Sequence, residues 1–285
     1  MTWVVGTPTM FGYGFGISDV RVTLGDHLEL DCLQKIYPVA RWIAAGFAGS
    51  VKIGFAMVDK LSRIGNAIEE PYAINPPVLA QEWPTYARKV FEQFPENERD
   101  LASHLMWISC DPQEDNGNPN WPRCYVHIFR SPDFAPEEVK VHQLGSIGIG
   151  SVYDECRAVI ENFSCDNDRR MFHMQAGIGN QGGMGTSIGH DLTNLLMHAQ
   201  PKHISSHLHY CWVYRGRIII ETNNRIMKGR WTISPLGHTQ DQFDDSEESL
   251  DEGAVAFRMP GLATTWDELD HILRSRNLDS ACAVA

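Results

Sequence analysis

The sequence predicts an α+β fold in which sheets are sandwiched between helical layers, an αββα design. Three observations predict it. The first 49 residues read as strands and turns without a helical pattern. Two helices, a hairpin, two helices and a second hairpin then follow, with no repeating strand–helix unit. The 285 residues are 43% hydrophobic and 21% charged, enough to bury a core. The length suits one domain over 1–285, with a glycine-rich insertion at about 174–190 and an acidic C-terminal extension at about 238–285.

The elements are justified in chain order. Trp3-Val4-Val5 is an apolar run. Phe11-Gly12-Tyr13-Gly14 supplies turn glycines, Phe15-Gly16-Ile17 resumes the strand, and Val20-Arg21-Val22-Thr23 alternates before the turn at Gly25-Asp26. Leu33–Val39 and Trp42–Phe47 read as strands joined at Ala40-Arg41. Ser50 then caps a helix with Val51, Phe55, Val58 and Leu61 at helical spacing. Val78–Phe94 reads as a second helix in which Pro84 marks a kink or a false start. His104–Cys110 and Cys124–Phe129 form a hairpin around a polar loop, and Val139–Val141 is a short strand. Val152–Glu161 and Leu192–Ala199 read as helices, with a glycine-rich loop between them. His207–Tyr214 and Arg217–Glu221 form a hairpin around Arg215-Gly216, and Thr265–Arg274 is the last helix, capped at Thr264 or Thr265.

Composition narrows the function. A formal net charge of -12 argues against nucleic acid and anionic membranes, which need a basic face, and leaves peptides and small molecules. No apolar run reaches about 18 residues, the length of a membrane-spanning helix. The start lacks the basic-then-apolar layout of a signal peptide. Seven cysteines without a CxxC pair read as reduced thiols, which places the chain in the cytoplasm.

The first fifty residues carry the chemistry. Removal of Met1 would make Thr2 the N-terminal residue, with a hydroxyl and a free α-amine on one residue. Such an amine has an unperturbed pKa of about 7.7–8.0 and can take the hydroxyl proton. The site then needs a cation beside the amine, a carboxylate to hold that cation, and a backbone N–H for an oxyanion. Lys35, Asp19 and the amide of Gly49 are the candidates.

The stretches SDVRVTLGD (18–26) and QKIYPVARWIAAGFAGSV (34–51) resemble proteasome β subunits and the bacterial peptidase HslV. The shared features are an acidic residue two before an arginine, a T-x-G turn, a K-I motif and an A-G-S stretch opening the first helix. Asp19 to Gly49 fits without gaps, and one extra residue falls between Thr2 and Asp19. The resemblance covers residues 2 to about 60, with a weaker echo at LGSIGIGSVYDE (144–155).

The resemblance implies the four-layer sandwich of N-terminal-nucleophile (Ntn) hydrolases. It implies Thr2 as nucleophile, Asp19 orienting Lys35, Lys35 tuning the amine, and Gly49 giving the oxyanion N–H. It also implies a structural Arg21, a Thr23 that holds peptide by main-chain hydrogen bonds, and Ser151 beside the substrate. The implied activity is that of a threonine protease acting on a peptide or unfolded chain, in a homo-oligomer of one ring or stacked rings. An ATPase partner is left open, and neither a cofactor nor a metal is called for.

Two departures keep alternatives open. Matching Gly148 and Gly150 puts Ile149 where the family has a serine that bonds the amine. The segment PKHISSHLHY (201–210) offers His203, Ser205 and Ser206 but no aspartate. One alternative is a non-catalytic structural or binding subunit of a proteasome-like ring; another is a small-molecule amidase of the Ntn class. His207, His209 and Cys211 alternate on one strand, which suits packed or hydrogen-bonded side chains better than zinc in the absence of a fourth ligand.

Overall fold

A computed structural model describes residues 3–8, 13–25, 28–40, 42–68, 74–111, 123–141, 143–148, 198, 204–214, 217–222, 230–234, 237–240, 262–278 and 283–284. Thr2, Ile149, Ser151, His203, the glycine-rich stretch 174–190 and the helix expected over 152–161 lie outside them, as does nearly all of the one expected over 192–199.

The fold is α+β. One sheet contains seven strands: β1 (Val4–Pro8), β2 (Tyr13–Asp19), β10 (Gly145–Ile147), β11 (Leu208–Tyr214), β12 (Arg217–Thr222), β13 (Arg230–Ser234) and β14 (Gly237–Gln240). Their spatial order is β10-β1-β2-β11-β12-β13-β14, antiparallel at every pair. A five-stranded sheet runs in chain order from β5 (Ile36–Ala40) through β6 (Ile43–Gly49), β7 (Ser103–Cys110) and β8 (Cys124–Arg130) to β9 (Glu137–Val139). A small third sheet joins β3 (Arg21–Leu24) to β4 (Leu28–Asp31) and β15 (Ala283–Val284).

The two large sheets face each other, with β1 and β2 over β7 and β8. Val4, Ile17, Met106, Ile108 and Val126 are buried in these strands. The five-stranded sheet carries helices on its other side: α1 (Val51–Asn66) against β5 and β6, and α2 (Pro76–Phe91) against β8. The described residues therefore show a β-β-α stack; the segments expected to form the second helical layer are among those outside them.

Local chemistry explains the helix bounds. Ser50 Oγ accepts the Ile53 amide at 3.4 Å and caps α1. The second helix begins at Pro76, two residues before the expected start, because Asn75 Oδ1 accepts the Val78 amide at 3.0 Å and prolines fit a first turn. It runs through Pro84, where the ring removes one hydrogen bond, because Ala80, Trp83 and Ala87 bury a continuous face. A short α3 (Glu96–Arg99) leads into β7, and the last helix, α4 (Trp266–Ser275), is capped by Thr265. The strand expected from Leu33 starts at Ile36, since Leu33 makes an isolated bridge to Ala263 instead.

The strands β4, β10, β13, β14 and β15 go beyond the predicted set. They are two to five residues long, too short for a periodicity to register. The stretch read as an acidic extension also contributes to the fold: Leu269 and Leu273 of α4 are fully buried, and β14 closes the seven-stranded sheet.

Candidate active site

The site is built where the end of β2 meets the start of β5. Lys35 sits one residue before β5 in a buried segment held from two sides. The Gln34 amide donates to the Ala263 carbonyl at 3.0 Å, and the Lys35 carbonyl accepts the Phe47 amide at 3.3 Å. The Lys35 side chain is fully buried, and its Nζ reaches Asp19 Oδ1 at 2.8 Å. Burial lowers the Lys35 pKa from its ordinary value, and the Asp19 carboxylate opposes that shift.

Four donors converge on Asp19, which is itself fully buried. Oδ1 accepts Lys35 Nζ and the Trp3 amide, the latter at 3.2 Å; Oδ2 accepts the Arg21 amide at 3.2 Å and the Ser205 amide at 3.3 Å. The Asp19 amide in turn donates to the Trp3 carbonyl at 3.3 Å. The Trp3 nitrogen is the atom that the peptide bond joins to residue 2. Asp19 thus ties together Lys35, the start of β1, the start of β3 and the segment before β11.

Gly49 ends β6, two residues beyond Phe47. Its φ of +102° is a conformation that L side chains rarely adopt, and a Cβ there would run into the Ala102 carbonyl. The next amide, Ser50 N, donates to that carbonyl at 3.0 Å. Ser50 Oγ donates to the buried Glu98 at 2.7 Å, and Lys52 pairs with the same carboxylate at 2.7 Å. The Gly49–Ser50 corner is therefore rigidly placed at the start of α1.

Arg21 points into an acidic pair. Its Nε lies 2.8 Å from Asp31 Oδ1, and another guanidinium nitrogen lies 2.8 Å from Glu29 Oε2. Asp31 also accepts Ser205 Oγ at 2.7 Å, and Ser205 Oγ accepts the His207 amide at 2.9 Å. Despite its burial, the Asp31 carboxyl is held below the usual carboxylate range by hydrogen bonds from Arg21 and Ser205. Thr23 lies on β3 opposite Glu29 on one side and Val284 on the other.

The structure brings Asp19, Lys35 and Arg21 into one hydrogen-bonded group and sets Gly49 at the neighbouring strand end. Thr2 and Ser151 lie outside the described residues. The segment 201–210 holds no aspartate, and the carboxylates that face Arg21 are Asp31 and Glu29, from β4. The available signal was the spacing of two in LELD, which puts Glu29 and Asp31 on one strand face across from Arg21.

The remaining candidates occupy separate places. His209 is fully buried opposite Ser18, its pKa pushed down to about 3 by burial, with Lys35 and His207 adding to the shift. Cys211 is buried, while the partly exposed His207 sets its Nδ1 3.6 Å from Asp31 Oδ2. Burial pushes the Cys32 thiol up to about 11, so it is a poor nucleophile.

No protein-family model matches the chain, and no curated protein matches it. Among solved structures the chain is similar to Anbu (ancestral beta-subunit) from Yersinia bercovieri, at 13% identity over 81% of this chain and 86% of that chain, with a TM-score of 0.49.

Proposed function

We propose that the chain is a proteasome-like threonine hydrolase that cleaves peptide bonds through Thr2 after removal of Met1. The observation that carries this reading is the buried Lys35–Asp19 pair, whose carboxylate also holds the amide next to residue 2. A lysine with no exposed surface is costly, and a structural role alone would be met as well by an apolar side chain.

In this reading Thr2 Oγ attacks the amide carbonyl, and its proton passes to the Thr2 α-amine directly or through a water. The Lys35 ammonium beside that amine favours its neutral, proton-accepting form by like-charge repulsion. Asp19 holds Lys35 at the required position. The Gly49 N–H, at the start of α1, stabilises the tetrahedral oxyanion. The amine then protonates the leaving nitrogen, an ester to Thr2 forms, and water resolves it.

The wider expectations belong to the same proposal: a cytoplasmic homo-oligomeric ring with inward-facing sites, acting on peptides or unfolded chains. The non-catalytic ring subunit is the second reading, favoured by the isoleucine at 149 in the matched register.

Intact-mass measurement with and without a β-lactone or epoxyketone probe tests the two. Loss of Met1 and one adduct, abolished by Thr2→Ala, supports the hydrolase. A retained Met1 without an adduct supports the structural subunit.

A further inference from the structure

Strand β3 has two neighbours of very different origin. On one side is β4, its own hairpin partner. On the other is β15, from residues 283–284, about 260 positions further along the chain, with Ala283 opposite Leu24 and Val284 opposite Thr23. An unpaired strand edge is a template for another extended chain. The molecule covers this one with a piece of itself.

The placement follows from what anchors the preceding segment. The Ala263 amide donates to the Cys32 carbonyl at 2.7 Å, and the Gln34 amide to the Ala263 carbonyl, directly before Lys35. Leu269 and Leu273 then fix α4 in the core; α4 ends at Ser275, and Asn277, with a φ of +57°, turns the chain. Ala263 is thereby tied to the segment carrying Lys35, and residues 283–284 to the segment carrying Thr23. A two-residue strand makes few ladder bonds, so the cover can be displaced.

We infer that residues 283–284 are a tethered occupant of the edge that a peptide substrate takes, and that they restrain access to it. The inference rests on the proposed hydrolase reading, in which the Thr23 main chain holds substrate. The two paired residues, Ala283 and Val284, are small and apolar in type. They assign the edge to extended, antiparallel segments with small apolar side chains, taken up by main-chain pairing rather than by charge.

The test compares the full chain with a variant ending after Ser280 and with Val284→Pro, which breaks the pairing while keeping the length. Two readouts are taken: KM for a fluorogenic peptide with small apolar residues, and hydrogen exchange at the amides of 21–24. Both variants should lower KM several-fold and speed exchange at Thr23 and Leu24. Synthetic SACAVA peptide added to the truncated chain should slow that exchange again and compete with substrate. Unchanged exchange in both variants, or a peptide that gives no protection, overturns the inference.

If no form of the protein turns over peptide, the hydrolase reading fails. Hydrogen exchange and peptide protection then decide the edge by themselves: protection keeps the dock, and no protection removes it. A truncated chain that fails to fold leaves Val284→Pro to decide between the same outcomes.

Discussion

Lys35 Nζ lies 2.8 Å from Asp19 Oδ1, and neither side chain has exposed surface. Removing one partner strands the other charge in the interior, at a cost of about 3–5 kcal/mol. Lys35→Ala should therefore lose roughly that much stability in urea denaturation. The double variant Asp19→Asn/Lys35→Met should recover a large part, since the stranded charge is gone. Both should be inactive, which separates the pair's chemistry from its contribution to folding. A double variant that loses the sum of the two single-variant losses would show that the pair is not coupled.

Buried histidines contribute to the acid limb of stability. His209 has a folded pKa of about 3 against an ordinary value of about 6.5, so the unfolded chain binds its proton first. Its contribution is fully present above pH 6.5 and is lost as pH falls towards 3, at about 1.4 kcal/mol per pH unit within that window. His127, held at about 4 by burial, adds a second such slope. His209→Leu should flatten the fall between pH 6 and pH 4.5 by about one proton, read from urea midpoints at each pH. An unchanged slope would mean that His209 is protonated in the fold.

Gly49→Ala should be costly twice over. The positive φ and the clash with the Ala102 carbonyl demand a backbone shift worth about 1–3 kcal/mol. That same shift moves the proposed oxyanion donor. A lowered melting temperature together with a fall in kcat of about 100-fold is expected. Full activity in a folded Gly49→Ala protein would remove Gly49 from the site.

Ser205 couples two carboxylates: its amide is on Asp19 and its hydroxyl on Asp31. Ser205→Ala keeps the first bond and loses the second, along with the acceptor of the His207 amide, at about 1–2 kcal/mol because partly buried polar groups lose a partner. A double-mutant cycle with Asp31→Asn should give a coupling energy of at least about 0.5 kcal/mol. A value near zero would show that the hydroxyl contact carries no stability.

The two stretches that run from Asp19 to Gly49 were legible in the sequence because their information is local. Strand alternation, the Ser50 and Thr265 caps and the spacing of charged residues all depend on neighbours within a few positions. Short strands were not legible, since Leu28–Asp31 offers only two periods and Ala283–Val284 offers one.

What the sequence by itself determined was the set of residue types able to form the site and the local elements that carry them. What only the tertiary structure decided was which distant groups meet there. Asp31 with Ser205 is separated by 174 positions, Ala263 brackets the Cys32–Gln34 segment, and residues 283–284 lie on the Thr23 edge. These contacts arise from sheet pairing and core burial between remote segments, where matching surfaces rather than sequence spacing select the partner, so no local pattern records them.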